Sequence, residues 1–220
     1  MPTLTQDGTL WTIDLGDDEN RFSPSFLTSV TAFLDDLAGS SEPAALLTVG
    51  GGKFYSNGLD LDWLGAHPDE LGSYVARVQE LFAKVLTLPV PTVAAVNGHA
   101  FGAGAMVALA HDYRVMRDDR GYFCFPEVDI HIPFSPGMSA LVMAKVSART
   151  AVDAMTTGRR FGAADAVAAG LVDASSSLED LTTTATGFVR DLAGKDRATL
   201  GAIKSTMYAD VVATLRQHGG

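Results

Sequence analysis

Residues 92–110, TVAAVNGHAFGAGAMVALA, constrain the fold more than any other stretch. The apolar run TVAAV reads as a buried strand, Asn97-Gly98 as a turn, and the Gly and Ala that follow run into an apolar helix. A buried strand that leads straight into a buried helix belongs to an α/β protein, in which helices cover a largely parallel sheet. The loss of side chains between Gly98 and Gly104 implies that something comes close to this backbone.

The flanking segments extend that pattern. Residues 3–15 alternate apolar and polar around Asp7-Gly8, with Trp11, Ile13 and Leu15 on one face, and read as a β-hairpin. Ser23-Pro24 is a helix start, because the hydroxyl can cap free amides and proline at the first position loses no needed donor. The helix it opens carries Phe26, Val30, Phe33, Leu34 and Leu37 at the helical period. AALLTVGGG reads as a strand ending in a loop. A long amphipathic helix is expected from Pro68, burying Leu71, Val75, Val78, Leu81, Phe82 and Val85 and stopping before Pro89 and Pro91. Strands follow around Tyr113–Met116 and through YFCFPEV. From Pro136 the pattern is helical, interrupted by a short Ala-rich helix and a brief extended piece in GRRFGAADAVAAGLVD, with two further helices over 178–217. Strands alternating with helices and then helices alone give an α/β chain with a helical tail.

A chain of 220 residues, 47% of them apolar, suits one domain, with or without a helical appendage. Its net charge of −10 opposes binding to nucleic acid or to an anionic membrane, both of which need a basic surface. Cys124 is the only cysteine, so no intrachain disulfide forms, and its apolar neighbours mark it as an inert core thiol. The N-terminal stretch has neither a basic nor an apolar signal region, and no window reaches the roughly 18 apolar residues of a membrane span. The final RQHGG carries no Ser-Lys-Leu address. A cytoplasmic location is therefore the expectation.

Several familiar motifs fail on spacing. VGGGKF at 49–54 lacks the phosphate-loop pattern and places Phe54 after the lysine, and GHAFGAG at 98–104 is not a dinucleotide fingerprint. There is no G-x-S-x-G elbow. His67, His99, His111, His131 and His218 show no metal-ligand spacing, and no metal is expected. Each reads as a packed or solvated histidine, with His99 and His131 as weaker pocket candidates.

Two loops and one acid remain. FYSNGLDLDWL at 54–64 and the stretch after Val96 each place a loop between a buried strand and a helix, where amide N–H groups lack partners and negative charge is favoured. Two such turns would aim two amides at one oxyanion. Alternatively, Gly58, Gly102 and Gly104 only allow tight packing of strand on helix. In FCFPEVDIHIPF, Glu127 sits among Phe123, Phe125, Val128, Ile130 and Ile132 at the end of a strand. Apolar surroundings would raise its pKa toward the range of a proton shuttle, while an unpaired exposed glutamate would also fit this position.

These three segments, in this order, resemble the crotonase family, also called the enoyl-CoA hydratase/isomerase family, over roughly Leu10–Asp173. Tyr55-Ser56-Asn57-Gly58-Leu59-Asp60-Leu61 is similar to the family's first oxyanion loop, and Asn97-Gly98-His99-Ala100-Phe101-Gly102-Ala103-Gly104 to its second. Ala168–Asp173 resembles the end of the family core. The resemblance implies a spiral of ββα turns over residues 1–175, with C-terminal helices over 176–220 that drive trimerisation and cover the pocket. It implies a homotrimer or dimer of trimers acting on an acyl-CoA thioester, with coenzyme A present only as part of the substrate. The backbone amides of Leu59 and Ala103 would hold the thioester oxygen. Ser56, Asn57, Gly58, Asp60, Phe101, Gly102 and Met106 would contact substrate.

Hydratases of the family use two glutamates to hold a water molecule. One matches Glu127, and the other falls on Met106. An apolar wall with a single base suits moving a proton within the substrate, and the likeness is closest to Δ3,Δ2-enoyl-CoA isomerases in NGHA, HDYRVMRDDRG and PEVDI. In such enzymes one glutamate takes a proton from C2 and returns it at C4. Asp129, two residues on, would share the side of Glu127 in an extended segment and supply a second carboxylate, or else serve structure alone. Where many relatives carry a lysine for coenzyme A this chain has Asp62, which leaves Lys53, Lys84 and Lys204 as candidate cations. Acyl-chain length would depend on Trp63, Phe101, Phe134 and the C-terminal helices. The alternatives are a hydratase, other enolate chemistry on acyl-CoA, or a catalytically weak acyl-CoA-binding trimer.

Overall fold

The computed structural model describes residues 1–217; His218 and the two glycines after it lie outside the described residues. The expected hairpin is present. β1 (Thr3–Asp7) pairs antiparallel with β2 (Leu10–Asp14), and Gly8 takes the positive φ of 56° that the turn demands. α1 (Pro24–Gly39) starts where the sequence indicated, with the Ser23 hydroxyl accepting the Phe26 amide at 3.2 Å, and buries Phe26, Leu27, Val30, Leu34 and Leu37.

The chain then repeats one unit. β3 (Ala45–Val49) and β4 (Phe54–Ser56) precede the short α2 (Leu61–Ala66) and the long α3 (Leu71–Thr87). β5 (Thr92–Val96) and β6 (His99–Phe101) precede α4 (Ala103–Ala110), and β7 (Tyr113–Arg117) and β8 (Phe123–Cys124) precede α5 (Pro136–Lys145). In each unit the first strand joins one sheet and the second joins another. The larger sheet has the order β1-β2-β3-β5-β7-β9, with β9 spanning Ala174–Ser176, and is parallel from β2 onward; the smaller is β4-β6-β8, all parallel. This is the spiral of ββα turns. Its α/β character follows from the mostly apolar, almost wholly buried strands β3 and β5, which have no face for water.

Helices complete the packing: α6 (Ala148–Thr157), α7 (Ala163–Ala168), α8 (Leu181–Val189), α9 (Arg197–Met207) and α10 (Ala209–Arg216). The tail therefore holds three helices and a 3-10 turn, where two helices were expected, because the chain breaks at the Gly194–Asp196 turn and again at Tyr208. α8 lies on the larger sheet, with Leu181, Ala185 and Val189 buried against Leu47, Val93 and Val115, and α10 packs on α3 and α5. The boundary read at residue 175 falls inside β9. Two further expectations are corrected. α3 opens at Leu71 after a 3-10 turn over Pro68–Glu70, so Leu71 is half exposed at 50% while Tyr74 and Gln79 are buried in its stead. The strand through YFCFPEV is only Phe123–Cys124; Pro126 ends the ladder and residues 127–131 form a turn.

The bare Gly98–Gly104 backbone has a protein partner. A Cβ on Gly98 would lie 2.1 Å from the Lys53 carbonyl oxygen, and one on Gly104 would lie 2.3 Å from that of Ser56. Both glycines are required because β4 and the loop after it press on β6 and the first turn of α4. Asn97 ties the same region from below, accepting the Gly50 amide at 3.0 Å and donating to the carbonyls of Gly51 and Phe54.

Candidate active site

The three strands of the smaller sheet run in one direction, so the loops that leave their C-terminal ends lie side by side. β4 leads to Asn57–Asp60, β6 to Gly102–Ala103 and β8 to Phe125–Glu127. A cavity of about 410 Å³ opens over all three loops.

The first two loops touch. A Cβ on Gly58 would lie 2.9 Å from the amide nitrogen of Ala103 and 2.7 Å from the Phe101 carbonyl oxygen. Gly58 has φ 79° and Gly102 has φ 51°, left-handed values that glycine adopts without strain. Among the described residues, no backbone carbonyl accepts the amides of Leu59 or Ala103, and both residues line the cavity. Ala103 is the first residue of α4, so its amide also carries the positive end of the helix dipole. The pair can serve an oxygen that gains negative charge.

Glu127 closes the arrangement. Its Oε1 lies 3.2 Å from the place a Cβ on Gly102 would take, and its Oε2 is buried with no hydrogen-bond partner among the described residues. Burial destabilises the carboxylate and pushes its pKa up to about 7, even though a bond from its own amide pulls the other way. Such an acid both accepts and gives a proton near neutral pH. Met106, buried in α4, forms part of the apolar wall with Ile130, Ile132 and Met138.

Of the residues read as substrate contacts, Asn57, Phe101, Gly102 and Met106 line the cavity. Ser56, Gly58 and Asp60 do not. The Ser56 hydroxyl is buried and fully used, donating to the Asn20 carbonyl at 2.8 Å and accepting the Gly58 amide at 3.1 Å. Gly58 is the contact point between the loops. Asp60 caps α2, accepting the Trp63 amide at 3.1 Å.

Asp129 does not pair with Glu127. The turn over residues 127–131 replaces the expected extended segment and breaks its two-residue alternation. The Asp129 carboxylate is turned onto Gly158, where a Cβ would meet Oδ2 at 2.2 Å. The same turn exposes Val128, which was read as part of the apolar surround of Glu127. Trp63 and Phe134 do not form the pocket floor: Trp63 stacks on His67 at 4.4 Å, and Phe134 packs on Phe125 at 6.1 Å. No residue beyond Arg160 lines the cavity among those described, so this chain's C-terminal helices do not shape it.

Three of the described histidines do not serve the cavity. His111 is buried and held neutral, its pKa lowered to about 4 by burial, with Nδ1 donating to the Val107 carbonyl at 2.8 Å and Nε2 bonded to Thr48 at 3.0 Å. His99 lies among Phe54, Phe101 and Tyr122, and His131 is exposed; neither lines the cavity. Cys124 lines it, but burial pushes its thiol up to about 11, which keeps it protonated and inert. The described residues contain no group of His, Cys, Asp or Glu that could hold a metal.

Sequence reasoning missed two cations at this cavity, Arg21 and Arg160. Arg21 donates to Asp62 at 2.6 Å and to Glu19 at 2.5 Å. Asp62 thus orients an arginine that comes from a distant part of the chain. Arg160 lies 5.8 Å from the Phe101 ring and has no ion-pair partner among the described residues. Its neighbour Arg159 is consumed by Asp153 and Asp165. Two of the lysines read as coenzyme A contacts are also consumed: Lys84 pairs with Asp35, and the buried Lys204 pairs with Asp112 at 2.5 Å. Lys53 stands over the Phe54 ring at 5.3 Å.

Comparison with known proteins matches this geometry to a family. The sequence model described as Enoyl-CoA hydratase/isomerase matches residues 6–218. Enoyl-CoA delta isomerase 3 of Arabidopsis thaliana is 40% identical over 183 residues, covering 80% of this chain and 77% of that protein. The peroxisomal enoyl-CoA delta isomerase 2 of the same plant is 37% identical, with coverage of 80% and 77%. A putative enoyl-CoA hydratase of Thermus thermophilus is 36% identical over 76% of this chain and 68% of its own length. In structure, a probable enoyl-CoA hydratase of Mycobacterium tuberculosis superposes with a TM-score of 0.91 at 23% identity, covering 99% of this chain and 92% of that one.

Proposed function

The chain belongs to the enoyl-CoA hydratase/isomerase family, the crotonases, whose members act on acyl-CoA substrates, and on that premise we propose that it is a Δ3,Δ2-enoyl-CoA isomerase. The observation that carries this reading is the single buried carboxylate of Glu127 beside Gly102, opposite the apolar Met106. The thioester oxygen sits between the amides of Leu59 and Ala103. Glu127 in its ionised form removes a proton from C2 of a 3-enoyl thioester. The electrons move onto the thioester oxygen as a dienolate, whose charge the two amides hold, each contributing about 2.7–4 kcal/mol in the transition state. Protonated Glu127 then delivers the proton to C4, the double bond comes to rest between C2 and C3, and the carboxylate is regenerated.

Water addition needs a second polar group to hold the nucleophile. Met106 offers none, and Asp129 is turned onto Gly158. Among the described residues, Arg160 is the cation available to a polyanionic thioester at this cavity, since Arg21 is already held by Glu19 and Asp62. The assembly that accompanies this reading is a homotrimer or dimer of trimers, with exposed Met143 of α5 and Val152 of α6 as apolar surface for a neighbour.

Incubation with a 3-enoyl-CoA and, separately, a 2-enoyl-CoA tests the proposal. Double-bond migration without appreciable hydration is expected, together with its loss in Glu127→Gln. Efficient formation of 3-hydroxyacyl-CoA would make the chain a hydratase. Binding of acyl-CoA with no turnover would make it a binding protein.

A further inference from the structure

A second cavity, larger than the one at Glu127, lies elsewhere among the described residues. A cavity of about 570 Å³ lies at the amino-terminal ends of β5 and β7, between Pro91, Asp112 and α9, and shares no lining residue with the catalytic one. Its walls are largely apolar, from Leu192, Leu200, Ile203 and Met207, and Ile203 and Met207 are 50% and 65% exposed.

The charged groups at this cavity do not balance. Lys204 is matched by Asp112 at 2.5 Å, and Arg114 behind them by Asp173 at 2.9 Å. Lys195 is exposed to solvent, and Asp196 caps α9 by accepting the Thr199 amide at 2.8 Å. Lys145 is left over. Its Nζ donates to the His111 carbonyl at 2.8 Å and to the Tyr208 hydroxyl at 3.2 Å, and it has no carboxylate partner among the described residues. Both contacts are to neutral oxygens, and an ammonium has three donors. Burial pushes Lys145 down to about 8, a desolvation cost that a nearby anion would offset. In a chain of net charge −10, a half-buried cation at the base of an apolar cavity is a local inversion.

From this juxtaposition we infer a second binding site, which takes a monocarboxylate with an aliphatic chain: the carboxylate meets the free donor of Lys145 beside Tyr208, and the chain lies along Leu192, Leu200 and Ile203. The anion supplies the missing negative charge, while the tail covers apolar surface now open to water. A dianion would exceed the one unmatched cation that is withdrawn from solvent, and an uncharged alkane would leave Lys145 as it is. This site is independent of the chemistry at Glu127.

Titration with carboxyl-labelled octanoate, followed by NMR, tests it. Wild type is expected to bind saturably. Lys145→Gln should weaken binding by about tenfold or more, the effect of losing a charge-assisted hydrogen bond. Because Lys145 also holds the end of α4, Ile203→Glu provides a second arm: this exposed position tolerates a charge, and a carboxylate there should repel the ligand by a similar factor. Octanol should bind at least about tenfold more weakly than octanoate. Failure to saturate, unchanged affinity in both variants, octanol binding as tightly as octanoate, or a neighbouring copy of the chain found filling the cavity would each overturn the site.

Discussion

The carboxylate of Glu127 is packed against the α-carbon of Gly102, so that a Cβ there would lie 3.2 Å from Oε1. The proposed general base and the loop proposed to supply an oxyanion donor thus meet at one contact. Gly102→Ala would press on the acid and force a side chain into φ 51°, a conformation that costs an L residue on the order of 1 kcal/mol. Turnover is expected to fall well beyond what that loss of stability explains. Steady-state rates measured alongside a thermal melt separate the two effects.

Glu127→Gln should stabilise the fold above neutral pH while abolishing activity. The folded-state pKa of Glu127 is raised to about 7, so the native protein prefers the neutral acid. That preference contributes stability below the ordinary glutamate pKa and is lost as pH rises through about 7. A shift of this size corresponds to on the order of 3 kcal/mol. Urea denaturation at pH 5 and pH 8 should show the variant gaining on wild type only at the higher pH, and the wild-type rate should climb to a plateau above about pH 7.

Met106→Glu would place a second carboxylate in the same apolar cavity. Like charge and shared burial should raise the pKa of Glu127 further. The pH–rate profile for isomerisation is expected to move to higher pH, and stability should drop by about 1–3 kcal/mol through the buried acid. An unmoved profile would separate Met106 from the base.

Gly104→Ala and Gly98→Ala should both fail as scaffolds. Each drives a Cβ into a backbone carbonyl, at 2.3 Å and 2.1 Å, which neighbouring backbone cannot yield cheaply. Losses of about 1–3 kcal/mol or more in chemical denaturation are expected, with activity falling in parallel.

Lys204→Met should destabilise without altering the affinity for acyl-CoA. The lysine is buried and bonded to Asp112 and to the Val90 carbonyl at 2.8 Å, so its removal takes the paired cation from Asp112, which keeps the Thr92 amide at 2.9 Å, a loss of about 1–3 kcal/mol. A denaturation curve together with a KM measurement distinguishes this from a role in holding coenzyme A.

Local sequence signals were enough for the hairpin, for α1 with its Ser23 cap and for the two loops after β4 and β6, because turn residues, caps and periodicity act over a few positions. Glu127 was legible from the aromatic residues around it, which its burial reflects. What escaped depends on contacts across the chain. Arg21 reaches the cavity through Asp62, 41 residues away, and no local pattern encodes that pair. Only the alternative that set Asp129 beside Glu127 fails, because Pro126 converts an apparent strand into a turn, and period-two alternation holds only while the strand continues. The close approach expected at Gly98 and Gly104 is made by the carbonyls of Lys53 and Ser56, which bears out tight packing for Gly104, and only the folded chain reveals which groups they are.

The most direct test of one acid working between two amides is an isotope experiment with a 3-enoyl-CoA carrying deuterium at C2. If Glu127 ferries the proton inside a dry cavity, part of the label reappears at C4 of the 2-enoyl product, and Glu127→Gln yields neither product nor transfer. Isomerisation that survives Glu127→Gln, or a 3-hydroxyacyl-CoA as the main product of wild type, would contradict it.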